Sequence, residues 1–205
     1  MSHTIVSVWF DYACPHSYKG IKQLEHSAFD ISLEIDLKPF LSRNYSIDKD
    51  LVQRELEIPT DTSRRPPLYK PGESIETEPA STRSTSTLAI HGATAYAKEI
   101  GLDKEFFWAA SKEYWERGTD LGNLYTIRRL AISIGIDWRT MWPKLESGQY
   151  HRSVIAQHES AIDIGVSVAP SYLISGRLHS GLIDPVELEK AIQQIEPFLS
   201  IRPVY

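Results

Sequence analysis

Cysteine is nearly missing from this sequence: 205 residues contain one, Cys14. A single cysteine excludes a disulfide framework and fits a reducing compartment. Long apolar runs are missing too. No stretch approaches the roughly 20 apolar residues of a membrane helix. The opening Met1-Ser2-His3-Thr4 lacks the basic region of a secretory signal. The expectation is a soluble cytoplasmic protein with no membrane partner. An excess of positive charge is also absent. Twenty-two Lys and Arg face 27 Asp and Glu, for a net charge of −5 and a pI near 5.8, so nucleic acid is not an expected partner. There is no glycine-rich phosphate loop, and no Gly-x-Ser-x-Gly turn precedes a helix. His151 and His158 share a helix face, but no zinc-like ligand spacing accompanies them, and no metal is expected.

What is present is organised around the lone cysteine. Ile5-Val6-Ser7-Val8-Trp9-Phe10 is rich in β-branched and aromatic residues and reads as a buried strand. Ile21, Leu24 and Ala28 then recur at helical spacing. Between them stands Cys14-Pro15. Proline suits the first position of a helix, where its missing N–H is not needed. Cys14 would then be the cap, with its sulfur beside free backbone N–H groups at the positive end of the helix dipole. That setting predicts a thiolate stabilised below the ordinary cysteine range, and a protonated His16 would lower it further. Asp11, beside the turn, is a candidate to tune Cys14 or simply to cap the turn.

Asp11-Tyr12-Ala13-Cys14-Pro15-His16-Ser17-Tyr18 resembles the active-site turn of DsbA-like thioredoxin-fold proteins. Far downstream, Gly165-Val166-Ser167-Val168-Ala169-Pro170-Ser171-Tyr172-Leu173-Ile174-Ser175-Gly176-Arg177 is similar to that family's cis-proline loop and the hairpin after it. The helical stretch between is similar in layout. The departure is Ser17, where redox-active members carry a second cysteine. The resemblance implies catalytic roles for Cys14 and His16, and a substrate-binding surface of Pro15, Ser17, Ala169 and Pro170. It implies a cis Ala169–Pro170 bond, with the backbone of Ala169 turned toward the sulfur as a dock for a peptide or for the cysteinyl part of glutathione.

The remaining pattern is consistent with an interrupted α/β protein. Residues 31–38 alternate strictly and read as a half-buried strand ended by Pro39. Residues 47–56 suggest a short helix, and residues 59–86 a long Pro-, Ser- and Thr-rich loop, either a connector or a substrate cover. Hydroxyls in residues 81–87 are candidate caps for the next helix. Helices are expected over 88–100, 104–117, 123–134, 138–146 (kinked at Pro143) and 151–164, each followed by a glycine in the left-handed cap position. Asp103 and Asp137 are expected to cap the helices they precede. The aromatic residues crowding this region, from Phe106 to Trp142, read mainly as helix-packing core. A hairpin turning at Ser175-Gly176 and a helix introduced by Asp184-Pro185-Val186-Glu187 close the chain. The expected fold is a thioredoxin-like α/β core split between residues 1–39 and 165–205. A mainly helical insertion, 40–164, lies between, its segment 151–164 packing on the core.

Three functions fit. The first is a thiol-disulfide oxidoreductase with a single active-site cysteine. Without a second cysteine it needs an external thiol, and glutathione is the expected co-substrate, with no permanently bound cofactor. Its partners would be small-molecule thiols or disulfides, or a protein thiol. The second is a glutathione-using transferase or isomerase of the kappa-class and hydroxychromene carboxylate type, although those enzymes typically place serine where Cys14 stands. The third is a non-catalytic thioredoxin-fold binding module.

Overall fold

The computed structural model describes residues 4–27, 33–42 and 86–193. The suggested helix at 47–56 and the loop at 59–85 lie outside the described residues. The chain forms two compact units: residues 1–40 with 161–205, and residues 41–160.

The first unit is built on a four-stranded mixed sheet. Its strands are β1 (Thr4–Phe10), β2 (Leu33–Pro39), β3 (Ser171–Ile174) and β4 (Arg177–Ser180), in the order β2-β1-β3-β4. β1 runs parallel to β2, from Thr4 opposite Leu33 to Phe10 opposite Pro39, and antiparallel to β3, with Val8 opposite Tyr172 and Trp9 opposite Ser171. A parallel neighbour needs a crossover, and α1 (Pro15–Ser27) supplies it. β1 has a partner strand on each side, but its two faces differ: Ile5 is exposed and Ser7 half-buried, so the strand is less fully buried than its continuous apolar run suggests. Val6, Val8 and Phe10 are buried, alternating along the strand to one face. Trp9 points to the other, where it packs with Phe40, Ala161, Val166, Leu173 and Leu178. β2 alternates: Ile35 and Leu37 are buried while Glu34 is exposed. The β3–β4 turn places Ser175 and Gly176 at φ 49° and 77°, the two left-handed positions of a tight hairpin. At the chain's far end Asp184 Oδ1 accepts from the N–H of Val186 and so caps α7 (Pro185–Gln193).

The second unit is helical: α2 (Leu88–Glu99), α3 (Asp103–Arg117), α4 (Leu124–Ser133), α5 (Trp138–Glu146) and most of α6 (Gln149–Asp163). Phe106, Phe107, Tyr114 and Trp115 are fully buried. Tyr125 is not: it is exposed on α4. Gly101, Gly118, Gly135, Gly148 and Gly165 all adopt positive φ, the conformation that stops a helix with little steric cost. The N-terminal caps divide. Asn123 and Asp137 accept from the N–H groups of Tyr125 and Arg139. Asp103, by contrast, is the first residue of α3 rather than its cap, which is Leu102 with no side-chain cap bond. Thr87 precedes α2, and its hydroxyl makes no cap bond either. α5 continues through Pro143 to Glu146.

Candidate active site at the Cys14 turn

The strand-to-helix turn is assembled by short-range hydrogen bonds. The N–H of Cys14 donates to the Asp11 carbonyl at 3.1 Å, closing a four-residue turn. Asp11 Oδ1 accepts from the N–H of Ala13 at 3.2 Å, the local side-chain bond that makes aspartate a turn former. Asp11 thus caps the turn. The carbonyl of Cys14 accepts from the N–H groups of Ser17 and Tyr18, and Pro15 opens α1. Cys14 is therefore the cap residue of α1. Tyr12, 1% exposed, stands edge-on to Phe10 with ring centroids 5.1 Å apart, which ties the turn to β1.

Across the sheet the chain returns through Val168, Ala169 and Pro170. The Ala169–Pro170 peptide bond is cis. The loop is braced twice: the Ser171 hydroxyl donates to the Val168 carbonyl at 2.7 Å, and the N–H of Gly181 donates to the Pro170 carbonyl at 2.8 Å. The Cys14 thiol donates to the Ala169 carbonyl at 3.1 Å, joining residues 155 positions apart. Cys14, Pro15, Ser17, Ala169 and Pro170 therefore gather in one place. His16 lies on the same turn, but it is exposed.

The electrostatics differ from the sequence expectation. Burial pushes the Cys14 thiol up, and this is the largest influence on it. The Ser17 hydroxyl and the backbone N–H groups of Ser17 and His16 pull it down, while the Asp11 carboxylate pushes it up again. The balance is upward, so the helix N-terminus does not overcome desolvation. The influence of His16 comes from its backbone N–H rather than its imidazole. Ser17 has a fuller part than a missing cysteine would suggest. It is 1% exposed, its oxygen accepts from the N–H of Asp11 at 3.2 Å, and its hydroxyl donates toward the Cys14 sulfur. The Ser171 brace had no sequence signal of its own, because a serine after a proline is common in turns. Among the described residues no group of three or more His, Cys, Asp or Glu is placed to hold a metal.

A lone thiol at the head of a helix, facing a cis-proline loop across a thioredoxin-like sheet, defines the class: a thioredoxin-fold protein. Residues 5–193 match the DSBA-like thioredoxin domain, and the chain belongs to that family. Solved structures agree in fold. A "probable DsbA oxidoreductase" of Streptomyces coelicolor superposes with a TM-score of 0.70 at 18% identity, over 99% of this chain and 93% of its own. A 2-hydroxychromene-2-carboxylate isomerase gives 0.66 at 17%, over 96% and 100%. The cytosolic disulfide reductase DsbM from Pseudomonas aeruginosa gives 0.62 at 12%, over 97% and 100%. The uncharacterized protein YwbO of Bacillus subtilis is 24% identical over 192 residues, covering 91% of this chain and 94% of its own.

Proposed function

We propose that this protein is a monothiol thiol-disulfide oxidoreductase that works with glutathione through a mixed disulfide at Cys14. The observation that carries the reading is the Cys14 thiol seated on the Ala169 carbonyl with Ser17 in place of a second cysteine. The Cys14 thiolate attacks one sulfur of a substrate disulfide. A new S–S bond forms at Cys14, the old one breaks, and the other sulfur leaves as a thiolate. A glutathione thiolate then attacks the mixed disulfide. Cys14 is released as the thiolate, and glutathione leaves joined to the substrate sulfur. A second glutathione frees that sulfur as a thiol and departs as oxidised glutathione. The two electrons come from glutathione, and no bound cofactor is needed. While Cys14 is bonded to a substrate its S–H is gone, which frees the Ala169 carbonyl to accept an N–H from the bound cysteinyl residue. The raised thiol suits such a cycle. Thiols of higher pKa are stronger nucleophiles once ionised and poorer leaving groups, so the mixed disulfide persists until an external thiol arrives. The same chemistry belongs in a reducing compartment, and we place the protein in the cytoplasm. Among the structural neighbours, DsbM is described as a cytosolic disulfide reductase and has been solved with GSH.

The raised thiol also favours a second reading, a binding module whose cysteine stays protonated. Intact mass after incubation with oxidised glutathione separates the two. The oxidoreductase gains one glutathionyl group, loses it on addition of reduced glutathione, and reduces a small disulfide with turnover. Cys14→Ser does none of these. Wild-type protein that gains no mass at pH 8.5 is the binding module, and the oxidoreductase reading is then wrong.

A further inference from the structure

A helix side that meets only water is ordinarily polar at its centre, and the outward side of α4 is not. Leu124, Ile127, Leu130 and Ala131 are buried, which fixes the inward side of the helix. At the centre of the opposite side stand Tyr125 and Ile132, two turns apart along the helix, 66% and 54% exposed. Tyr125 is the most exposed large apolar side chain among the described residues. Arg128 and Arg129, both exposed, lie on either flank of this stripe. No acidic residue occurs anywhere in α4, although the chain as a whole carries a net charge of −5. Arg129 is held in place: both of its terminal nitrogens donate to Glu113 of α3, and Arg117 joins the same carboxylate. Among the described residues Arg128 meets no carboxylate, and Glu113 is the one that Arg117 and Arg129 share. Three positive charges against one negative leave the stripe beside an excess of positive charge. A guanidinium already fixed by a buried carboxylate loses little freedom when it meets a further anion.

This chemistry selects one kind of occupant. Tyrosine and arginine around an apolar centre are typical of protein interfaces. A second copy docked on the same face by a two-fold axis would set like charge against like. Nucleic acid calls for a larger positive excess. A helix of ten residues with two exposed apolar side chains is a slight anchor for a lipid surface. We propose that the outward face of α4 is a docking surface for an acidic segment of a partner protein. Its carboxylates meet Arg128 and Arg129, and its apolar side chains cover Tyr125 and Ile132. The surface belongs to the helical unit and uses no atom of Cys14, so it is independent of the thiol-exchange reading.

The probe is a fluorescein-labelled peptide of Glu-Glu-Leu repeats, titrated with the intact protein and followed by anisotropy. Binding should saturate and should weaken as salt is raised. Arg128→Glu should weaken it about tenfold, and Ile132→Ser about threefold, with melting temperatures unchanged because both side chains are exposed. Arg152→Glu makes the same change in net charge from α6 and should leave binding within about twofold of wild type. Absence of saturable binding up to about 1 mM overturns the proposal. So does equal weakening by Arg128→Glu and Arg152→Glu, which would mean attraction to overall charge. Equal binding of the peptide with Lys in place of Glu also overturns it. Phosphatidylglycerol vesicles bound in preference to the peptide would make the face a lipid contact, and a dimer in sedimentation velocity that Arg128→Glu dissociates would make it a self-contact; either result defeats the proposal.

Discussion

At the scale of single residues the site shows two opposed influences on one sulfur. The sequence places Cys14 at a helix cap, and the structure keeps it there with Ser17 and His16 N–H groups nearby. Position alone predicts a lowered thiol. Burial reverses the sign, because removing a thiolate from water costs more than a few donors return. Burial is a property of the folded surroundings, and neither the cap nor the Cys14-Pro15 pair announces it. Ser17 lies three residues after the cap residue Cys14, a spacing that brings side chains together on a helix, and its hydroxyl acts on the thiol. Ser17→Cys should therefore form an internal disulfide with Cys14, a bond that wild type cannot make. Thiol titration with and without reductant checks this. Two free thiols persisting under mild oxidation would show that the turn cannot close. Ser17→Cys also removes the donor hydroxyl, so its reduced form should react with glutathione differently from wild type.

At the scale of elements the helical unit depends on one carboxylate that carries no motif. Glu113, 6% exposed near the end of α3, receives both guanidinium nitrogens of Arg129, at 2.7 and 3.1 Å, together with Arg117 and the Thr119 hydroxyl. Its backbone carbonyl takes the N–H of Gly118 and of Thr119. The group holds the end of α3, the turn after it and α4 together. The Arg129 bonds come first in pulling the Glu113 carboxyl down to about 2. A depressed carboxyl stabilises the fold fully above the unfolded value near 4.5, and that contribution fades as pH falls from there toward 2. Glu113→Gln should cost about 1–3 kcal/mol at neutral pH, with the half-exposed arginines keeping the figure low. It should also flatten acid denaturation between about pH 4.5 and 2. Urea melts across that range would detect both, and an unchanged acid limb would mean that another group carries it. Much else at this scale was legible beforehand. Glycine stops and apolar spacing located β1, the hairpin and the helices of residues 88–163 to within a residue or two. Caps were less legible: Asp137 and Asp103 follow the same Gly-Ile-Asp or Gly-Leu-Asp phrase, yet only Asp137 caps, because the chain enters α3 one residue earlier.

At the scale of the whole molecule, the chain leaves the sheet unit after Phe40 and rejoins it inside α6, between Ser160 and Ala161. One helix thus serves two cores. Ala161 and Val166 pack with Trp9, and Val154 packs with Leu41 and Leu88. The periodicity of residues 151–164 shows a helix but not this change of allegiance, since both cores ask for the same apolar spacing. Near the start of α6 the helical unit encloses a histidine. His151 is 1% exposed, and neither ring nitrogen meets a hydrogen-bond partner among the described residues. Its ring lies close to α2, where a β-carbon on Gly92 would stand 3.8 Å from its Cε1, in ordinary contact. Burial first, and the charge of Arg152 second, hold its pKa below the ordinary histidine value of 6.5. The folded chain therefore refuses a proton that the unfolded chain accepts. As pH falls through about 6.5, the unfolded state binds more protons and stability declines, until the lowered folded value is reached. Above 6.5 both states are neutral at this position and the penalty is absent. His151→Leu, similar in size, replaces the two unsatisfied nitrogens with carbon. Its loss of melting temperature between pH 7.5 and 5 should be clearly smaller than that of wild type. Comparing the two slopes, rather than the two temperatures, removes any packing cost of leucine. Parallel slopes would show that His151 takes up its proton in the fold as readily as in the unfolded chain.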